Sequence, residues 1–415
     1  MEATGNRKIK EAYERVEWMR TFFWTGCLSY LLIGLAHVIM GSLLPEILAY
    51  YGKDYGDGGL LISLQFAGFL IGVLSGPWCA QKLGKRGALL LCLFCLSAAQ
   101  LVFFSLPVWG LMLAIAPLAG FGFGMVETII GALVIQHMEG SQKTSSMTRL
   151  EVFFGLGALL MPLLSSMLMA IGWWRGAFLC LSVLSTVVFV LWWLLPLGKM
   201  EGLMSRQSGV RERSAEARSR VRMSRTSWRL LTLFLLVFAL YVGTEMSVAN
   251  FLPSILIANV GVTPEIGALG VTCFWAAITV GRLFAAQLAE RLGKSRYLLL
   301  SSSGGAMILA GFTMSDGAAA SFTLIMLLGL VMSGMFAVAL VYANEFFQGR
   351  EERITSMLIA AGGVGGALVP LLTGGLMERL SIQQALWVLV LFYVLMLILV
   401  LQASRVGEGK GDPSV

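Results

Sequence analysis

Residues 71–91 read "IGVLSGPWCAQKLGKRGALLL", and residues 280–300 read "VGRLFAAQLAERLGKSRYLLL". Each stretch holds an apolar run, a short basic turn built on Leu-Gly-Lys, and a second apolar run. Two further pairs keep almost the same spacing: "SLLPEIL" (42–48) with "NFLPSIL" (250–256), and "GLGALLMPLL" (155–164) with "GVGGALVPLL" (363–372). Three matches in register over separate segments mark an internal duplication. The copies are joined by the longest polar stretch, 199–229, which includes "SRQSGVRERSAEARSRVRMSRTSWR". Its Arg and Ser content suits a basic helix on a lipid surface or an unstructured linker equally.

The chain has 415 residues, of which 57% are hydrophobic and 13% charged. Soluble domains carry about 25% charged residues. A long soluble chain with half that share would expose large apolar patches. A bilayer, whose hydrocarbon core is about 30 Å thick and takes about 20 apolar residues per helix, is the solvent that fits. Twelve segments qualify: 21–49, 59–80, 87–105, 108–136, 149–171, 176–197, 230–260, 266–289, 297–314, 320–346, 354–377 and 383–402. They are called the first to twelfth spans below. The first is too long for the apolar region of a signal peptide. The expected organisation is a tail (1–20), a six-span bundle (21–198), the basic linker (199–229), a second six-span bundle (230–402) and a tail (403–415).

With twelve spans both ends lie on one side. All but four of the 30 Lys and Arg residues fall on that side; Lys53, Arg175 and Arg379 lie opposite, and Arg282 lies within a span. The positive-inside rule then makes both termini cytoplasmic. The net charge of +7 follows from this topology and from attraction to anionic lipid. No nucleic-acid partner is needed to explain it.

Two six-span halves, a basic central loop and paired "LGK" turns resemble the major facilitator superfamily. Its loop signature runs roughly Gly-x-x-x-Asp-Arg-x-Gly-Arg-Arg. The first copy, "PWCAQKLGKR", has Pro77 for the first Gly and Gln81 for the Asp. The second, "AQLAERLGKS", has Glu290 at the acidic place. Gly84, Gly293, Lys82, Lys85, Arg86, Arg291 and Lys294 keep the Gly and basic pattern. The resemblance implies an all-α membrane protein of two pseudo-symmetric six-helix bundles. It also implies that these turns latch helix ends.

Ionisable residues inside a span cost about 2.5–3.5 kcal/mol on insertion scales and by default mark function. Four qualify: Glu127 in the fourth span, Glu245 in the seventh, His37 in the first and Arg282 in the eighth. Glu46, Glu151 and Glu345 lie near span ends and are expected to reach the interface. Glu127 sits in "GFGFGMVETIIGAL" (120–133), where the small residues permit close helix packing. It reads as a protonatable carboxyl facing a cavity; the alternative is a permanently neutral or paired acid that joins helices. "GFGFGMVET" is similar to the fourth-helix signature "G-x-G-x-x-E-T" of the fucose:proton symporter family. That resemblance implies that Glu127 takes part in proton coupling and substrate transport. Gly131 stands where the family has Asn, and Gly41 where it has a first-helix Asp.

His37 and Glu245 fall at equivalent positions of the two halves when "LLPEIL" is set against "FLPSIL". "YVGTEMSVANFLP" (241–253) also resembles the family's seventh helix. A His titrates near neutral pH and could stand in for the missing Asp, so Glu127 is expected to work with Glu245 and His37 in proton coupling, with Glu127 and Glu245 also facing the substrate cavity. His37 could equally bond a backbone carbonyl. Arg282 lies at the depth of Glu127, which makes a pair between them possible; the alternative is that its long side chain snorkels to the interface. Gln65, Asn250, Trp275, Tyr342 and Asn344 are further candidates to line a substrate cavity. Pro162 and Pro370, beside Gly pairs, are expected to kink gating helices.

The expected function is a secondary transporter that moves a sugar or similar small polar solute by alternating access, coupled to protons. A proton-driven exporter of drugs or metabolites is the alternative, although the fifth span lacks the Gly-Pro pair of such antiporters. A non-transporting sensor would carry longer tails. An enzyme is not expected: no nucleophile–base set stands out, no P-loop exists, and the Gly-rich runs lack the βαβ context of dinucleotide sites. No cofactor or metal is expected, since two His residues cannot alone build a zinc site. The expected partners are a small-molecule substrate, protons and the lipid bilayer, with the chain a monomer in a bacterial cytoplasmic membrane.

Overall fold

Both basic turns depend on a glycine, and the backbone shows why. Gly84 has φ 77° and ψ 157°, and Gly293 has φ 85° and ψ 138°. Such angles are open to glycine and costly for a residue with a Cβ. The computed structural model, which describes residues 2–137, 140–195, 224–347 and 351–408, turns the chain at these two points between successive spans.

The first span continues a helix that begins at Glu2 and ends at Tyr51. Helix Tyr55–Phe104 carries the second and third spans, bent at Gly84. Its 50 residues, at about 1.5 Å each, exceed twice the ~30 Å hydrocarbon thickness. The fourth to sixth spans are Trp109–His137, Gly140–Ala170 and Gly176–Leu194. The seventh to ninth are Arg225–Val260, Pro264–Leu292 and Lys294–Thr313. The tenth is broken into Ala318–Met332 and Met335–Glu345. The eleventh and twelfth are Glu351–Arg379 and Ile382–Glu408. No strand occurs among the described residues.

Ten of these helices are long and apolar enough to cross a membrane, with the two pieces of the tenth span taken together. The ninth, interrupted by the run Ser301–Ser302–Ser303, is not among them. Most of the linker expected at 199–229 lies outside the described residues, and helix begins again at Arg225.

The two halves repeat their packing. The first span lies on the fifth as the seventh lies on the eleventh, and the third on the sixth as the ninth on the twelfth. The first of these crossings depends on glycine at both ends of the duplication. A Cβ on Gly34 would run into the Phe154 carbonyl, and one on Gly157 into the Leu31 carbonyl. In the second half a Cβ on Gly365 would strike the Ala239 carbonyl, and one on Gly243 would meet the Gly365 carbonyl at 2.9 Å. Backbones this close gain dispersion and weak polar contacts that hold helices together in lipid.

The halves meet along three lines: first span on seventh, second on eleventh and fifth on eighth. At the first, a Cβ on Gly41 would lie 2.5 Å from the Asn250 Cα. At the second, a Cβ on Gly374 would lie 2.9 Å from the Gly59 Cα. At the third, Thr272 Oγ1 donates to the Leu159 carbonyl at 3.4 Å. Residues of both basic turns contact the ends of other spans. Arg86 Nε donates to the Trp192 carbonyl at 3.1 Å and its Nη2 to the Trp193 carbonyl, both at the end of the sixth span. Lys294 pairs with Glu345 at the end of the tenth. Lys85 is buried, and Glu290 is exposed. Pro162 and Pro370 are buried within their helices.

Candidate functional site

The line where the first span crosses the seventh carries a buried histidine between the halves. His37 faces this line and is buried. Five rings surround it edge-on: Phe66 at 5.2 Å, Phe154 at 5.4 Å, Phe123 at 5.7 Å, Trp275 at 6.2 Å and Phe69 at 6.5 Å between centroids. They come from the second, fourth, fifth and eighth spans, so both halves contribute. His37 Nε2 lies 3.0 Å from Met246 Sδ of the seventh span. A thioether sulfur accepts only weakly. With the proton on Nε2, His37 Nδ1 is an acceptor, and it has no hydrogen-bond partner. Trp275 Nε1, a donor, is buried without a partner as well. Buried polar atoms are nearly always satisfied, and each orphan costs about 1–3 kcal/mol. One acceptor and one donor are thus left unpartnered among these aromatic side chains.

Gln65 lies beside this box, where its Nε2 donates to the Ala36 carbonyl at 3.2 Å. Asn250 is buried on the same crossing and donates to the Met246 carbonyl at 2.8 Å. The glycine at position 41 has a steric cause: the Asn250 backbone leaves no room for a side chain. An acid at this position would force the Asn250 backbone to shift.

Glu127 belongs to a second group, nearer the chain ends. Tyr30 Oη donates to the Glu127 carbonyl at 3.3 Å. The Glu127 carboxylate is close enough to Glu151 and Arg282 to interact with both electrostatically. The ion pair itself is made elsewhere: Arg282 Nη1 lies 3.7 Å from Glu151 Oε2. Of the two readings left open for Arg282, the pair with Glu127 is not made, and Glu151, which is exposed near its span end as expected, is the partner instead. Equal depth suggested the Glu127 pair, yet the fifth span, not the fourth, packs on the eighth.

Glu245 forms a third group inside the second half. Tyr241 Oη lies 2.9 Å from Glu245 Oε1 and 3.0 Å from the Met332 carbonyl oxygen. His37 and Glu245 are therefore not brought together, despite equivalent positions. His37 meets Met246, the next residue, while Glu245 turns toward the tenth and twelfth spans.

Tyr342 and Asn344 lie apart from all three groups. Tyr342 packs on Phe234 and Phe346 at centroid distances of 5.7 and 5.1 Å. Asn344 donates to Thr355 Oγ1 at 2.9 Å. Both sit near the chain-end terminus of the tenth span. Sequence reasoning passed over Phe66, Phe123, Phe154, Met246 and Tyr241. An aromatic in an apolar helix carries no signal of its direction, although Tyr241 and Glu245 are one turn apart and so share a face. A cavity of about 320 Å³ opens at the far ends of the first, second and seventh spans, lined by Pro45, Lys53, Asp54, Tyr55 and Ser254 among others. It contains none of the expected site residues. No group of three metal-ligating side chains occurs among the described residues.

Comparison with known proteins agrees with this architecture. A family model described as the Major Facilitator Superfamily matches residues 26–318 and 233–414. The glucose/mannose transporter GlcP of Bacillus subtilis (strain 168) is 32% identical over 356 residues, 86% of this chain and 88% of that protein. A TsgA homologue of Erwinia tasmaniensis is 20% identical over 397 residues, 93% of this chain and 95% of its own length. Among solved structures, a D-xylose–proton symporter superimposes with a TM-score of 0.77 at 14% identity, covering 92% of this chain and 97% of that one.

Proposed function

The chain belongs to the Major Facilitator Superfamily, and from that premise we propose that it is a proton-coupled symporter of a hexose or a closely similar sugar. It is an integral membrane transporter and not an enzyme. The observation that carries the sugar reading is the box around His37. Residues of both halves build it, its aromatic walls suit the apolar face of a sugar ring, and its unpartnered acceptor and donor suit hydroxyl groups. A hydroxyl group both donates and accepts, so one sugar could satisfy His37 Nδ1 and Trp275 Nε1 together. The name of the glucose/mannose relative and the fourth-span likeness to fucose symporters support a hexose.

In this reading residues 21–198 rock against 230–402, and the box opens to one face and then the other. Gln65 and Asn250 border the box; Tyr342 and Asn344 act with the chain-end opening of the second half. Glu127 takes up and releases the coupled proton, and its charge is sensed by Glu151 in the same half and by Arg282 across the line between the halves. The turns at Gly84–Arg86 and Gly293–Lys294 hold helix ends while the bundles move as units, and Pro162 and Pro370 let the fifth and eleventh spans flex. The Lys and Arg asymmetry supports cytoplasmic termini in a bacterial cytoplasmic membrane, with the monomer as the working unit.

Uptake of radiolabelled D-glucose into proteoliposomes, with an internal pH dye, tests this directly. An inward proton gradient should drive accumulation, excess D-mannose should compete, and Glu127→Gln should keep exchange but lose accumulation. Proton movement opposite to the solute would replace the symport reading with export. A Glu127→Gln variant that accumulates sugar like the wild type would remove Glu127 from coupling.

A further inference from the structure

The tenth span is broken at mid-length. Helix Ala318–Met332 ends, Ser333 and Gly334 form a turn, and helix restarts at Met335. The Met332 carbonyl lies at a helix end, where intrahelical partners run out. Its donor comes from another span: Tyr241 Oη, at 3.0 Å. The same hydroxyl lies 2.9 Å from Glu245 Oε1. Met332 is fully buried, and Tyr241 and Glu245 are 3% and 6% exposed.

Counting hydrogens decides how three oxygens can share this space. A tyrosine hydroxyl carries one proton, a backbone carbonyl none, and an ionised carboxylate none. If Tyr241 donates to Met332, the contact with Glu245 is a hydrogen bond only when the carboxyl supplies the second proton. If Glu245 is ionised, Tyr241 must turn to it, and the Met332 carbonyl is left bare in the interior. The other groups that face Glu245 are Arg282 of the eighth span, which acts on it electrostatically, and Tyr393 of the twelfth. Arg282 is already paired with Glu151, and Tyr393 Oη has no partner.

We propose that Glu245, Tyr241 and the Met332 carbonyl form a second proton-binding site, a latch that holds the break in the tenth span closed while Glu245 is protonated. This rests on the proton-coupled reading above and adds a site to it. In the latched state Glu245 donates to Tyr241, and Tyr241 donates to Met332. When the proton leaves to solvent, Tyr241 rotates to the carboxylate and the Met332 carbonyl is released, so the two pieces of the tenth span can hinge. The break is wedged into the eighth span: a Cβ on Gly281 would strike Ser333, and one on Gly334 would meet Ala285 at 2.5 Å. Gly281 precedes Arg282. Movement of the break therefore shifts the residue whose ion pair with Glu151 bridges the halves. Tyr241 is a positioning residue in this scheme.

Infrared difference spectra of the full chain in lipid test the protonation. At neutral pH, wild type minus Glu245→Gln should show a protonated-carboxyl C=O stretch, and Tyr241→Phe should move that band to higher wavenumber as its hydrogen bond is lost. No such band in the first difference, or an unmoved band in the second, overturns the proposal. Maleimide labelling of Ser333→Cys, in a background whose own cysteines are replaced, tests the hinge. Labelling should rise several-fold as pH rises, stay low at every pH with Glu245→Gln, and stay high with Tyr241→Phe. Labelling independent of pH in the otherwise unaltered chain, or equal in all three, overturns the latch. Neither readout needs a transported sugar. Wild type that takes up no D-glucose would remove the hexose reading alone.

Discussion

Trp275 can be probed at a single atom. Trp275→Phe keeps an aromatic ring in the box around His37 and deletes the unpartnered Nε1–H. If that group donates to a sugar hydroxyl, about 1–1.5 kcal/mol is lost, which is close to a tenfold weaker apparent affinity. Initial rates of D-glucose uptake would show it as a raised KM with a maximal rate little changed. Unchanged affinity would rule the donor out. Gly41 asks a different question. Gly41→Asp would restore the acid of the fucose symporters by sequence, but its Cβ would lie 2.5 Å from the Asn250 Cα. Such overpacking typically costs about 1–3 kcal/mol. The variant should melt several degrees lower in detergent than wild type; an unaltered melting temperature would mean that the crossing is loose enough to admit a side chain.

Helices obey simpler rules, and most of them were legible. Apolar length alone located the twelve segments, because a spanning helix must satisfy its backbone internally over a fixed thickness. The glycines of the two "LGK" turns were legible too, since a tight turn between spans calls for them. Gly84→Ala and Gly293→Ala should each cost about 1–3 kcal/mol through backbone strain. Thermal unfolding of the singles and the double would read this, and near-additive losses are expected because the turns lie in separate halves. The break in the tenth span was not foreseen. Its signal is the Ser333–Gly334 pair, a known cause of kinks, but the same pair at Ser75–Gly76 lies in continuous helix. Packing against Gly281 and Tyr297 settles which pair breaks.

Across the whole molecule the Arg282–Glu151 pair is the ionic contact between the halves among the described residues. Its side chains are 32% and 49% exposed, so solvent screens it and its worth is about 0–1 kcal/mol. A double-mutant cycle of Arg282→Ala and Glu151→Gln, read as the distribution of spin-label distances between the halves, should show a coupling below about 1 kcal/mol. That is less than a tenfold shift between conformations. A larger coupling would make the pair a lock and not a weak bias. Duplication, solvent class, span number and the glycine turns were determined by the sequence by itself, since length, apolarity and repetition are properties of a line. The partner of Arg282, the rings around His37, the turn of Glu245 into its own half and the collision that keeps Gly41 a glycine were decided by the tertiary structure. Each depends on the rotation of a helix about its axis and on which distant span it touches, and in lipid that is set by close backbone packing between segments the line does not place side by side.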